Sequence, residues 1–300
     1  MKKLTLIFLL FAQIVYAQEI PVIPKGRDVF RALDRRDRKL VLIGDTNHED
    51  DSIPIAVAQT LKEIKAVDDA YNCFFVEMDQ RLQPALDEFW RLPGDSVPDY
   101  RKPMWHLIQS KAQDLWWLLF QRKATDQMMV QAKRLGMKIF AVDIDRSSPD
   151  GKAALHAAGL PDDSTGGKRT EVIDAKDFAK KTIEMRNRVM AEGIQRHFLD
   201  ATCTKGIAFV GKTHVLDSEI AEEKISSLFE NLSAMNLKSI VASTIQLDCI
   251  ANSMDKTSCL KLNRALENDV YFSPIPQQYR ASGDFRIVFG ASMELTKPND

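Results

Sequence analysis

The stretch KLVLIGDTNHED, residues 39–50, runs from a continuous apolar segment into a knot of carboxylates and amides around a histidine. Leu40, Val41, Leu42 and Ile43 follow one another without polar alternation. A half-solvated strand would alternate, so this run predicts a strand covered on both faces. Similar runs recur as CFFVEM (73–78), KIFAVD (138–143), GIAFVG (206–211), KSIVAS (238–243) and FRIVFG (285–290), with longer segments of helical spacing between them. Covered strands alternating with helices predict an α/β fold, a three-layer α/β/α arrangement around a mostly parallel central sheet.

The polar end of the opening stretch reads as a helix start, EDDSIPIAVAQTLKEI. Ser52 is the expected cap, Pro54 is tolerated in the first turn, and Glu49, Asp50 and Asp51 suit the positive end of the helix dipole. His48 then falls in a strand-to-helix turn, where backbone N–H groups can stabilise a developing negative charge. The bland alternative is a histidine that only caps or packs in the turn.

Loops leaving the carboxyl ends of parallel strands meet in one crevice, so the groups at those exits belong together. Asp45 and His48 follow the first strand, Glu77 and Asp79 the second, Asp143 and Asp145 the third, and Lys212 and His214 the fourth. The helical segment 176–199 adds Arg186, placed on a core stripe formed by Ile183, Met190 and Ile194. An inward arginine requires a carboxylate or a bound anion. Glu77 or one of the acids at 143 and 145 is the natural partner. A purely structural ion pair, with Asn187 only its neighbour, is the alternative.

Composition narrows the partners. A net charge of −1 gives no electrostatic footprint for nucleic acid, and no basic cluster stands among aromatics. No basic amphipathic stretch suggests attachment to a membrane surface. MKKLTLIFLLFAQIVYA, residues 1–17, has the charged start, short apolar run and small closing residue of a signal peptide. Its apolar run is too short to span a bilayer, and no later segment replaces it as a transmembrane helix. These features predict a periplasmic or secreted protein with a single α/β domain over residues 18–300. The Gly-, Pro- and Asp-rich stretch 146–170 suits a lid. Its Gly166-Gly167-Lys168 lacks the spacing and the hydroxyl residue of a phosphate loop.

Export permits disulfides. Cys249 and Cys259 bracket a polar segment that a bridge would close, whereas Cys73 and Cys203 read as buried free thiols. No cysteine or histidine spacing marks a structural zinc site.

Four motifs then occur in order: Gly44-Asp45-Thr46-Asn47-His48, Val76-Glu77, Arg186-Asn187-Arg188-Val189-Met190-Ala191, and Gly211-Lys212-Thr213-His214. Together they resemble the superfamily of erythromycin esterases, ChaN-like haem-uptake proteins and Tiki-type proteases. The resemblance implies a polar cleft holding two histidines and a glutamate. Asp45 replaces a glutamate of that pattern, and Asn187 stands where the esterases often carry aspartate.

The expected activity is hydrolysis of an ester, lactone or amide bond in a small molecule or peptide. His48 is the expected general base with Glu77 as its partner, while His214 and Arg186 bind the carbonyl or oxyanion. Asp45, Asp143, Asp145, Asn187 and Lys212 are the expected supporting residues. No GxSxG stretch occurs, so an acyl-enzyme is disfavoured. A variant places a divalent metal ion on His48, Glu77 and His214. A non-enzymatic alternative is haem or small-ligand binding in the same cleft, with Tyr100, His106 and His156 as candidate axial ligands. Oligomeric state has no sequence signature here.

Overall fold

The computed structural model describes residues 27, 30–31, 34, 37–46, 50–94, 123–145, 148–159, 175–215, 218–220, 223–246, 271–274 and 285–289. All six expected apolar runs form strands of one sheet. They are β1 (Leu40–Asp45), β2 (Tyr71–Asp79), β3 (Lys138–Asp143), β4 (Lys205–Gly211), β7 (Ser239–Gln246) and β9 (Phe285–Phe289). The strand order is β3-β2-β4-β1-β7-β9-β8, where β8 (Tyr271–Pro274) is an antiparallel edge strand and every other pairing is parallel. Two short strands, β5 (Ser218–Ile220) and β6 (Glu223–Ile225), form a separate antiparallel pair.

Alternation along the strands sorts the core into two layers. Val41, Ile43, Phe74, Val76, Ile207 and Phe209 face one side, against helices α1 (Ser52–Val67), α2 (Gln83–Arg91) and α3 (Lys123–Arg134). Leu40, Leu42, Phe75, Phe140, Ala208 and Val210 face the other, against α5 (Ala175–Leu199) and α7 (Leu228–Ala234). The chain steps from β1 to β2 in one direction across the sheet and from β3 to β4 in the other. Right-handed crossovers then put α1 and α5 on opposite faces, which is the three-layer arrangement. Phe75 packs so closely over the neighbouring strand that a Cβ on Gly206 would lie 2.6 Å from its ring.

Several local expectations need correction. Ser52 does not cap α1: Asp51 occupies the cap position without a side-chain cap, and Asp50 accepts from both the Ser52 amide and its hydroxyl. Ile183 is only half-buried, and Met185 instead joins Ile144 and Leu155 in a small satellite core. Within the expected lid, Pro149–Ala157 form helix α4, capped by Ser148 and held on α5 through that satellite core. The remainder of residues 160–170 lies outside the described residues.

The cysteine reading is also overturned. Cys73 and Cys203 form a disulfide, with Cα atoms 5.7 Å apart. The reason is topological. β2 and β4 are neighbours with Cys73 opposite Gly206, so a cysteine just before β4 lies beside one near the start of β2. Strand adjacency between elements 130 residues apart is not visible in the sequence. Cys249 and Cys259 lie outside the described residues.

Candidate functional site

The carboxyl end of β2 carries Glu77 on the α5 face, two residues beyond Phe75 in the same alternation. Across from it, α5 continues its buried stripe of Met190, Ala191 and Ile194 toward its own N-terminus as Arg186 and Asn187. Positions 186 and 190, and 187 and 191, are one helical turn apart, so the stripe that packs the core also delivers two polar groups to the strand ends. The fourth strand supplies the rest: β4 ends at Gly211, and the one-turn helix α6 (Lys212–Val215) follows at once. This turn sits over the end of β1, since a Cβ on Gly44 would lie 3.2 Å from Lys212 Cα.

These elements bring five side chains together. Arg186 donates from Nε to Asp143 Oδ1 at 2.9 Å and from Nη2 to Asp143 Oδ2 at 2.8 Å. Its Nη2 also donates to Glu77 Oε1. The Gly211 amide donates to Glu77 Oε2 at 2.5 Å. His214 Nε2 lies 3.3 Å from Glu77 Oε1, while its Nδ1 lies 2.6 Å from Asn187 Oδ1. Asn187 in turn donates from Nδ2 to the Ser226 carbonyl at 2.7 Å. Glu77, Arg186, Asn187 and His214 are all buried.

Burial alone would push the Glu77 carboxyl up, but His214, Arg186 and the Gly211 amide together hold it well below the usual carboxylate range. Burial likewise opposes charge on Arg186, and the carboxylates of Asp143 and Glu77 outweigh it. Glu77 is therefore a permanently ionised group near neutral pH, with donors on both oxygens. A group in that state anchors charge and is a poor proton acceptor.

The other expected residues are placed as follows. Asp45 is buried at the end of β1, in register with Gly211. Lys212 is exposed on α6. Asp145 lies 3.3 Å from Arg81, which also pairs with Asp79. His48 lies outside the described residues, as do Tyr100 and His106. His156 is exposed on α4. Among the described residues, the imidazole beside Glu77 is that of His214.

Of the three expected metal ligands, His48 lies outside the described residues, and Glu77 and His214 are already engaged with other groups. Both Glu77 oxygens already accept N–H bonds, one from a guanidinium whose charge opposes a cation. No group of three or more His, Cys, Asp or Glu side chains among the described residues has the placement to hold a metal ion.

Sequence reading missed three contributors. The Gly211 amide and the Ser226 carbonyl are backbone groups and carry no residue-type signal. Arg81 was legible only as an arginine two residues after an acid at a strand exit.

No protein-family model matches the chain, and no curated protein matches it. Among solved structures it is similar to the type III effector HopBA1, with a TM-score of 0.46 at 14% identity over 91% of this chain and 99% of that one. It is also similar to RRSP, a MARTX toxin effector domain from Vibrio vulnificus CMCP6, with a TM-score of 0.41 at 16% identity over 69% of this chain and 33% of that one. A structure described as of bacterial protein toxins gives a TM-score of 0.43 at 15% identity, over 74% of this chain and 37% of that one. The chain spans about a third of the length of the latter two.

These three structures are described as bacterial effector or toxin proteins, and none of the three is described as an erythromycin esterase, a ChaN-like protein or a Tiki-type protease. This overturns the resemblance drawn from the four motifs. Its weakness is physical: any parallel sheet gathers titratable groups at its strand exits, so short motifs at those exits report the architecture more than a lineage.

Proposed function

We propose that the carboxyl-end cluster is a hydrolytic site in which His214 moves the proton and Glu77 stays ionised beside it. The observation that carries this reading is the placement of one buried imidazole between Asn187 Oδ1 and Glu77 Oε1, inside a charge network at the strand exits. His214 Nε2 accepts a proton from water as the hydroxide oxygen bonds to the carbonyl carbon of an ester, lactone or amide. The same nitrogen then returns that proton to the departing oxygen or nitrogen as the C–O or C–N bond breaks. Glu77 stabilises the intervening imidazolium, and Arg186, held by Asp143, keeps Glu77 ionised and in place.

This assigns Glu77 and Arg186 different roles from those the sequence suggests. The Arg186 guanidinium is engaged with two carboxylates, so it positions Glu77 rather than receiving an oxyanion. The 3.3 Å separation of His214 Nε2 from Glu77 is long for a charge-assisted hydrogen bond. Lys212 and Thr213, on the same turn, are exposed.

Export is part of the proposal. The signal-like start supports it, and so does a disulfide, which persists in oxidising compartments.

The test is a panel of ester, lactone and peptide substrates with purified protein and the His214→Gln and His48→Ala variants. His214→Gln is expected to lose about 10²–10⁴-fold in kcat, the contribution of a positioned acid–base group. Turnover that survives His214→Gln, or no turnover of any substrate class, would overturn the reading. The His48→Ala arm decides whether a second imidazole takes part.

A further inference from the structure

The chain leaves the site at His214, runs through the β5–β6 pair, and returns at Ser226, whose carbonyl oxygen receives the Asn187 amide. That return fixes a chemical choice. An asparagine amide has one end that donates and one that accepts, and its orientation follows from its partners. A backbone carbonyl only accepts, so the end 2.7 Å from Ser226 is Nδ2. The reverse orientation would press two acceptor oxygens together at that distance. With Nδ2 committed, Oδ1 is the atom 2.6 Å from His214 Nδ1, and an amide oxygen at that distance demands an N–H. Nδ1 therefore carries a proton, and Nε2 is the nitrogen left to exchange one.

We infer that Asn187 is a positioning residue that fixes the His214 tautomer, with the Ser226 carbonyl as its reference. This rests on the proposed role of His214 only for its functional consequence; the tautomer follows from the closer of two acceptors, Asn187 Oδ1 at 2.6 Å from Nδ1 against the competing Glu77 carboxylate at 3.3 Å from Nε2. Neutral imidazole in water carries its proton on either nitrogen, so an unconstrained His214 would spend part of its time with Nε2 protonated and unable to accept. Asn187 is fully buried, at 0% exposure, so neither of its bonds is exchanged for water. The device is supplied by parts far apart in the chain: a helix gives the amide, a strand exit gives the imidazole, and the end of β6 gives the carbonyl.

The experiment is long-range ¹H–¹⁵N correlation on histidine-labelled full-length protein in alkaline buffer, where the rings are neutral. The chain has five histidines, and His214→Gln assigns the relevant signal by its loss. In the native protein His214 is expected to show a pyrrole-type Nδ1 and a pyridine-type Nε2. Asn187→Ala is expected to shift the pattern toward the Nε2–H tautomer and to lower kcat by about 10²-fold, the lower end of an acid–base contribution, with KM unchanged. An Nε2–H tautomer in the native protein overturns the inference without any variant. A native pattern unchanged in Asn187→Ala overturns it as well. If the tautomer behaves as expected while no substrate is hydrolysed, the positioning stands and the hydrolytic reading falls; the two failures are thus separable.

Discussion

The sheet has a polar cluster at each end, and the two differ in what they are made of. At the amino end, Lys205 Nζ pairs with Asp34 at 2.7 Å and Asp68 at 2.8 Å, and the Tyr71 hydroxyl donates to Asp34 at 3.1 Å. The nearby Cys73–Cys203 bridge ties β2 to the approach to β4. Burial and the adjacent acids push the Tyr71 phenol above its ordinary range; burial resists charge on Lys205, but the hydrogen bonds to Asp34 and Asp68 raise it. Tyr71 and Lys205 therefore keep their protons near neutral pH. At the carboxyl end the same kind of network surrounds His214, a side chain whose chemistry is proton exchange. In the proposed reading the two networks serve different ends: one closes the sheet, and the other holds a mobile proton.

The sharpest test of that contrast is Glu77→Gln. The substitution keeps the shape but takes one carboxylate from the Arg186 charge, and it sets an amide donor against the Gly211 N–H or the guanidinium. Breaking a buried pair in this way costs about 3–5 kcal/mol, read by chemical denaturation, and the proposed activity is expected to disappear. The effect has a pH signature. The folded carboxyl ionises well below its ordinary value of 4.5, so between the two values the unfolded chain binds the extra proton. The stability that Glu77 supplies is therefore complete above 4.5 and is lost as pH falls toward the folded value. The gap between native protein and Glu77→Gln should accordingly narrow in acid. A gap that widens there would break the assignment of Glu77 as an ionised anchor.

Next in size is the bridge. Replacing both Cys73 and Cys203 by serine opens a link across 130 residues and is expected to cost about 2–5 kcal/mol, chiefly through the unfolded chain. The contrast predicts that kcat of the folded fraction is unchanged, because nothing at the amino end touches His214. A loss of kcat in protein that remains folded would show that the two ends are coupled.

The fold was legible because burial on both faces leaves a composition signal. Val41 and Phe74 face one helix layer while Leu42 and Phe75 face the other, so no polar residue interrupts either run. The site was partly legible for the same reason: Arg186 breaks an apolar stripe at a helical spacing, and Glu77 breaks an apolar strand. What stayed hidden depends on pairing across the chain. The sequence reading placed both His48 and His214 near Glu77 because all three follow strands; the β2–β4 adjacency brings His214 there, and His48 lies outside the described residues. The same adjacency turns two cysteines read as free into a disulfide. Asn187 was expected among the supporting residues, but nothing in the sequence announces a carbonyl arriving from Ser226.

The smallest expected effect tests the amino end directly. Lys205→Met keeps the length of the aliphatic stem but removes the cation that lies 5.1 Å from the Tyr71 ring centroid and is shared by Asp34 and Asp68. Leaving those acids without their partner costs about 1–3 kcal/mol, toward the lower end because Asp68 is 28% exposed and water takes part of the loss. Burial raises the Asp68 carboxyl, but its hydrogen bonds and the Lys205 charge bring it below its ordinary value of 3.8. The stability it supplies is present above that value and is lost as pH falls through the folded one, so the Lys205→Met penalty should shrink in acid, as the Glu77→Gln penalty does. The two variants then part company on activity. Glu77→Gln removes turnover at every pH, whereas Lys205→Met leaves kcat and its pH profile at native values. If Lys205→Met shifted that profile, the amino-end network would be titrating with the site, and the division of labour between the two ends of the sheet would be wrong.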